Sequence, residues 1–238
     1  MIQRGLIVAA SLCVIVGFGA WKSGVFTSEP ADAAETAQAA TTTKADTPAG
    51  AQVDGFRSAK FGDTEDAVRK AISKDFDISG DDIKTVVNPV QRTKALIVRA
   101  KDLIPDTGEA RITYVLGYKS KALIQVNVLW GTAVTPDVTE VAIARTALIL
   151  KNYFNSQGYD PKRTIHDRRL KNGVLVFQST DSEKRLVRLL YIDVPIKQKD
   201  EKAASDDKSK KKSAYALSLN YIADPANPDI LKIKPGSF

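Results

Sequence analysis

Hydrophobic and polar residues alternate with two different periods along the chain, and each period predicts one kind of element. The stretch 55–72 reads GFRSAKFGDTEDAVRKAI, in which Gly62 permits a tight turn and Asp63 or Thr64 can cap a helix. Acidic residues follow at once, where the positive end of a helix dipole favours them. The apolar positions at helical spacing are Val68, Ala71, Ile72 and Phe76. The pattern predicts an extended entry, a tight turn and then a helix.

Three strand-like segments follow this helix. They are Ala95–Ala100, Arg111–Tyr118 and Leu123–Trp130. In the second and third segments, apolar and aromatic residues occupy every other position, which is the period of a strand with one buried face. The turn PDTGE separates the first two segments, and KSK separates the last two. Short turns between such segments predict an antiparallel meander with one face in water.

The same order of elements then repeats. Residues 135–158 predict a second helix, with Thr135 as its cap, Pro136 at its first position and Gly158 at its end. The strand-like segments after it are Gly173–Ser179, Leu186–Val194 and Ala214–Ile222. The turn TDSEK lies in this second set where PDTGE lies in the first.

This order predicts an α+β fold built from two tandem units. Each unit combines a helix with a three-stranded antiparallel sheet, the first over residues 55–131 and the second over residues 132–238. Element order and turn position support a duplication, because the identity between the two halves is weak. A chance repeat of a common order is the alternative.

The first 26 residues predict a membrane segment. An uninterrupted apolar run extends from Gly5 to Trp21, between Arg4 and Lys22. Its length is near the short limit of about 17 residues for a bilayer-spanning helix, so an uncleaved anchor is favoured and a cleaved signal peptide is the alternative. The basic start should stay in the cytoplasm. Residues 27–54, rich in Ala, Thr, Asp and Glu, predict a disordered linker. We expect a single-pass inner-membrane protein with a periplasmic C-terminal domain.

The charge of the chain indicates which kinds of partner it could bind, and its cysteine content indicates whether it could form a disulfide. The formal net charge is +7 at pH 7, and the only cysteine, Cys13, lies inside the apolar run, so an exported domain would form no disulfide. The charged segment 197–213 predicts either a solvated loop between the last two strands or contact with an anionic surface. Its candidate contact residues are Lys208, Lys210, Lys211 and Lys212. We expect no nucleic-acid partner, because no aromatic residues are interleaved with these lysines.

Candidate catalytic chemistry is sparse. His166 is the only histidine and stands beside Asp167, a pairing that could serve a general base. No nucleophile elbow, phosphate-binding loop or Cys/His ligand set accompanies it, so a polar connection is the preferred interpretation. We predict no catalytic, cofactor-binding or metal-binding residue. Four strand aromatics belong either to the core side of the sheet or to a partner-binding face. They are Tyr114, Trp130, Tyr215 and Tyr221.

A short motif at the first helix carries a family resemblance. Phe61, Gly62, Thr64 and Val68 form F-G-x-T-x-x-x-V, which resembles the BamE-like (SmpA/OmlA) module, a small envelope domain of helices packed on a three-stranded antiparallel sheet. A tandem version of similar shape occurs in the beta-lactamase inhibitor protein. The second unit lacks the Phe-Gly entry, and the lipidated cysteine of the BamE type is replaced by an apparent transmembrane anchor. The resemblance implies a binding or scaffolding role without catalytic residues.

Together these patterns predict a non-enzymatic, membrane-anchored periplasmic protein that binds or assembles partners in the bacterial cell envelope. Its expected partners are an envelope protein, the inner membrane through the N-terminal helix, and an anionic surface. The alternatives are a hydrolase-like enzyme built on His166 and a proteinaceous enzyme inhibitor.

Overall fold

The computed structural model of the protein describes residues 50–101, 103–195, 213–233 and 236, and these form an α+β fold. Its helices are α1 Glu65–Phe76 and α2 Glu140–Asn155. Its strands are β1 Gly55–Phe56, β2 Ala59–Lys60, β3 Lys84–Val87, β4 Lys94–Ala100, β5 Ala110–Leu116, β6 Leu123–Gly131, β7 Ile165–Leu170, β8 Gly173–Thr180, β9 Leu186–Pro195 and β10 Ser213–Ile222. β1 and β2 pair as a short hairpin, and β3 to β10 form one eight-stranded sheet.

The first helix lies where the hydrophobic period predicts it. Thr64 is its N-cap, and its hydroxyl oxygen accepts a hydrogen bond from the Ala67 backbone N–H at 3.4 Å. The helix ends at Asp77, whose backbone is in the left-handed conformation with φ 56° and whose N–H donates to the Ser73 carbonyl. The predicted extended entry is the β1–β2 hairpin. Gly62, with φ 91°, makes the turn between this hairpin and the helix.

The second helix begins later than the sequence predicts. Its N-cap is Thr139, whose hydroxyl oxygen accepts from the Ala142 N–H at 3.2 Å. Thr135 instead closes a turn after β6 by donating its N–H to the Gly131 carbonyl at 2.9 Å. Its hydroxyl accepts the Glu109 N–H at 3.1 Å, so this hydroxyl joins two loops and caps no helix. The prediction that Thr135 caps the helix was therefore wrong.

The eight strands follow the order β3-β4-β5-β6-β10-β9-β8-β7, and every neighbouring pair is antiparallel. β6 and β10 meet at the centre, so one continuous sheet replaces the two separate sheets that the sequence predicted. Four strands follow each helix, one more than predicted. The additional strands, β3 and β7, are the two edges of the sheet, where nearly every side chain is exposed and no alternation marks the strand.

Both helices lie on the same face of the sheet. Lys94 of β4 pairs with Glu65 of α1 at 2.7 Å, and the rings of Phe177 in β8 and Phe154 in α2 stack with centroids 5.2 Å apart. One hydrophobic cluster fills the space between the helices and this face. Because neighbouring residues of a strand point to opposite faces, the alternate positions lie on a face that neither helix covers.

Several predicted segments lie outside the described residues. They are the apolar run Gly5–Trp21, most of the linker 27–54, and residues 197–212 with the four candidate lysines. Within the described ranges, no helix is long and apolar enough to cross a bilayer. The same ranges contain no group of three or more His, Cys, Asp or Glu residues placed to hold a metal ion.

Candidate functional site

The face opposite the helices, here called the open face, is organised in two rows that cross the strands. The leucine row runs from β6 through β10 and β9 to β8, in the order Leu129, Ser218, Leu190, Leu175. The amide row runs from β5 to β8, in the order Thr113, Asn127, Asn220, Arg188, Gln178. Residues paired in neighbouring strands share a face, so the registers alone place each row on one surface.

Hydrogen bonds fix the centre of the amide row. Asn127 and Asn220 are directly paired across β6 and β10. The Asn127 Oδ1 accepts the Asn220 Nδ2–H at 2.8 Å and the Gln125 Nε2–H at 2.7 Å. Asn220 Nδ2 also donates to the Ser218 hydroxyl oxygen at 3.2 Å. These bonds hold the side chains in one arrangement at the junction of the two halves of the sheet, so the surface there is pre-organised.

The open face is positively charged. Its strands carry five cationic residues, and no Asp or Glu occupies a described strand position on this face. The five are Lys84, Arg99, Arg111, Arg168 and Arg188. Arg99 pairs with Glu109, outside the strands, at 3.3 Å. Neither Arg111 nor Arg188 has an ion pair in the described part of the chain. Such a surface attracts an anionic partner.

Arg188 is the most unusual of these cations. It lies between Asn220 and Gln178 in the amide row, and its side chain is only partly exposed. The Nε atom is buried and has no hydrogen-bond partner among the described residues. An unpaired donor that has already lost water is costly in the free protein. A partner oxygen that reached Arg188 would therefore gain a hydrogen bond at a reduced desolvation cost.

The aromatic residues proposed from the sequence are all on the helix-covered side. Tyr114 and Trp130 are 0% and 1% exposed and belong to the core, so they do not reach the open face. Tyr215 and Tyr221 alternate with the open-face residues of β10 and share the helix side with Leu217 and Leu219. The aromatic side chains therefore mark the covered face, while the open face consists of residues at the intervening positions.

His166 and Asp167 do not form a dyad. The imidazole packs edge-on against the Phe177 ring, with centroids 5.4 Å apart, in strand β7 and not in the connection that the sequence predicted. Asp167, with φ 50°, pairs with Lys151 of α2. Among the described residues His166 has no hydrogen bond to a carboxylate, and its orientation as a general base is therefore not supported.

A cleft lies on the helix side of the sheet, between α2 and the β1–β2 hairpin. It is a cleft of about 570 Å³, the size of a small-molecule site. Six of its lining residues are aromatic: Phe56, Trp130, Tyr153, Phe154, Tyr159 and Tyr221. Burial raises the pKa of Tyr159 to about 12, and burial likewise raises that of Tyr221, so both hydroxyls are neutral at physiological pH.

Comparisons with protein-family models, curated proteins and solved structures give no match. The resemblance to BamE-like modules stays a prediction, since no related protein bears on it.

Proposed function

We propose that this protein is a non-enzymatic binding or assembly module that docks an acidic protein partner on its open face. The observation that carries the proposal is the charge of that face: five cations with no carboxylate at the described strand positions. An antiparallel sheet can leave one face in water, but that face usually mixes charges of both signs for solubility. A face whose described strand positions carry cations and no carboxylate attracts a surface of the opposite charge.

Arg111 and Arg188 would make the principal contacts with carboxylates of the partner. Each presents a planar guanidinium that can bind a carboxylate through two parallel hydrogen bonds. Neither has to leave an existing ion pair to do so. Because Arg188 is already partly desolvated, docking removes less water from it than from a fully exposed arginine. These two residues should therefore contribute more to affinity than the exposed Lys84.

The leucine row favours a protein over a purely ionic surface. Leu129 and Leu190 are half-buried. On the open face they lie beside the amide row, two positions along their strands from Asn127 and Arg188. Apolar side chains next to fixed hydrogen-bonding groups are typical of the centre of a protein interface, with charges toward its rim. A phosphate-rich headgroup layer would satisfy the arginines but would leave the leucines against polar groups.

The proposed setting is the bacterial cell envelope. The apolar run Gly5–Trp21 would anchor the chain in the inner membrane, and the linker 27–54 would carry the domain into the periplasm. A linker of this length behaves as a coil that reaches on the order of 30 Å. The open face could then meet a partner clear of the bilayer.

We also propose that the domain arose from two tandem units of one helix and four strands. The element order supports this, because β3 to β6 follow α1 and β7 to β10 follow α2. The last strand of each unit, β6 or β10, would then pair with its counterpart at the centre of the sheet. On this proposal both units contribute strands to the open face, and neither unit alone would present the complete face.

Site-specific photocrosslinking in intact cells tests the proposed function. Benzoylphenylalanine would replace Thr113 in the amide row or Ser218 in the leucine row, and Lys70 or Leu148 on the outer surfaces of the helices. We expect both sheet positions to give the same adduct and the helix positions to give none. Mass spectrometry should assign the adduct to one protein with an acidic surface. Adducts from the helix positions alone, or no adduct from the sheet, would refute the proposal.

A further inference from the structure

The cleft beside α2 has an apolar body and a polar end. Ile149 and Tyr153 of α2 line it and are 44% and 53% exposed, which leaves apolar surface open to the cavity. Trp130 lies in its wall, and the indole Nε1 is buried without a hydrogen-bond partner in the described residues. An indole N–H of this kind usually finds an acceptor when it is buried.

The charges at the cleft leave one cation available. Lys60 pairs with Asp54 at 2.9 Å, so these two lining residues neutralise each other. Arg57 also lines the cleft and has no carboxylate partner in the described part of the chain. Its guanidinium lies 4.9 Å from the centroid of the Phe76 ring and donates weakly to the Asp75 carbonyl at 3.5 Å. The net charge of the lining side chains is thus positive, and Arg57 carries it.

We propose that this cleft binds a small monoanionic amphiphile of the fatty-acid type. Its apolar chain would lie among the aromatic rings and Ile149, and its carboxylate would pair with Arg57. The cavity volume suits one such molecule, and the aromatic and aliphatic lining is what an alkyl chain requires. The cleft and the open face are on opposite sides of the sheet, so this site is independent of the proposed protein partner.

Tryptophan fluorescence provides a direct test on the full chain. The protein has two tryptophans, so Trp21→Phe leaves Trp130, in the wall of the cleft, as the only indole. This protein would be held in lipid nanodiscs and titrated with dibromostearate, which quenches an indole on contact. We expect saturable quenching. Stearyl alcohol carrying the same bromines serves as the uncharged comparison.

Two pairs of variants locate the ligand. Ile149→Glu should weaken dibromostearate binding about ten-fold or more, because it places a like charge in the cleft, while Leu148→Glu, 60% exposed and outside the cleft, should not. Arg57→Gln should weaken binding of dibromostearate about ten-fold and leave binding of the brominated alcohol unchanged. Tyr153→Asp gives a second cleft variant if Ile149→Glu lowers the melting temperature. Unsaturable quenching, or equal quenching in the 148 and 149 variants, would overturn the proposal.

Discussion

The carboxylate of Asp181 accepts the backbone N–H of Val53 at 3.0 Å, across 128 positions of the chain. The same carboxylate accepts the Arg185 Nε–H at 2.7 Å and the backbone N–H groups of Glu183 and Arg185 at 2.9 Å. Its side chain is fully buried. This one residue fastens the start of the domain to the β8–β9 turn, in the other half of the sheet. The β1–β2 hairpin, which forms one wall of the cleft, follows directly.

Replacing Asp181 should therefore destabilise the whole domain. Asp181→Asn keeps the shape but presents an N–H where an acceptor is needed, which leaves the buried Val53 N–H and the Arg185 Nε–H without an acceptor. We expect the free energy of unfolding to fall by about 2 kcal/mol, measured by urea titration. Glu183→Gln is the control, because Glu183 is 68% exposed and pairs with the same arginine; it should cost less than about 0.5 kcal/mol. Equal effects of the two substitutions would contradict this account of Asp181.

The contribution of Asp181 to the free energy of unfolding should depend on pH. Burial raises its pKa, but the hydrogen bonds from Val53 and Arg185 and the charge of Arg185 lower it by more, so the pKa lies below its ordinary value of 3.8. A group with a depressed folded-state pKa stabilises the protein fully above its unfolded pKa and loses that contribution as the pH falls through the folded value. The difference in unfolding free energy between wild type and Asp181→Asn should be constant above about pH 5 and shrink below about pH 3.8.

The difference in unfolding free energy between wild type and Asp181→Asn separates the effect of Asp181 from that of other carboxylates whose pKa is lowered. The hydrogen bond from Lys94 lowers the pKa of Glu65, and the Ser120 backbone N–H lowers that of Asp229, so both also contribute to acid unfolding. Because they are present in both proteins, their effects cancel in the comparison. A difference that stayed constant or grew on acidification would show that the Asp181 charge is not what stabilises the turn.

Gly117 should be required for docking of the C-terminal segment. A Cβ at this position would lie 2.3 Å from Asp229 Oδ2. Asp229 in turn accepts the backbone N–H of Lys119 at 3.0 Å and that of Ser120 at 2.8 Å. Gly117→Ala should push Asp229 away and speed amide hydrogen exchange of residues 224–233, with little change in the helices. Gly50→Ala, where an added Cβ meets nothing within 4 Å, is the matched control. Unchanged exchange in Gly117→Ala would refute this role.

The sequence predicted the elements that carry a hydrophobic period and missed those that do not. α1 and the six inner strands have buried alternate positions, and all were located. β3 and β7 are edge strands with little burial, so nothing in their composition separated them from loops. The start of α2 was misplaced because Thr135 and Thr139 both satisfy the rules for a cap, and only the contact between Thr135 and Glu109, remote in sequence, decides between them.

The candidate site could not be predicted in the same way. The sequence assigned the large aromatic residues either to the core or to a partner-binding face. They lie on the covered face, because burying a ring stabilises the core. The residues of the open face occupy the positions of the same strands that alternate with the buried ones. Among them are Arg111, Thr113, Asn127 and Arg188. Its significance depends on which strands are neighbours, and the pairing of β6 with β10 brings Asn127 beside Asn220 over a long sequence separation.

Charge reversal at Arg188 tests the central claim most directly. The crosslink yield from benzoylphenylalanine at Thr113 would be compared in wild type, Arg188→Glu and Lys171→Glu, two variants with the same change in net charge. Lys171 is exposed in the β7–β8 turn, outside the two rows of the open face. We predict that Arg188→Glu lowers the yield about ten-fold or more and that Lys171→Glu leaves it nearly unchanged. Equal yields in the two variants would contradict a partner docked on the open face.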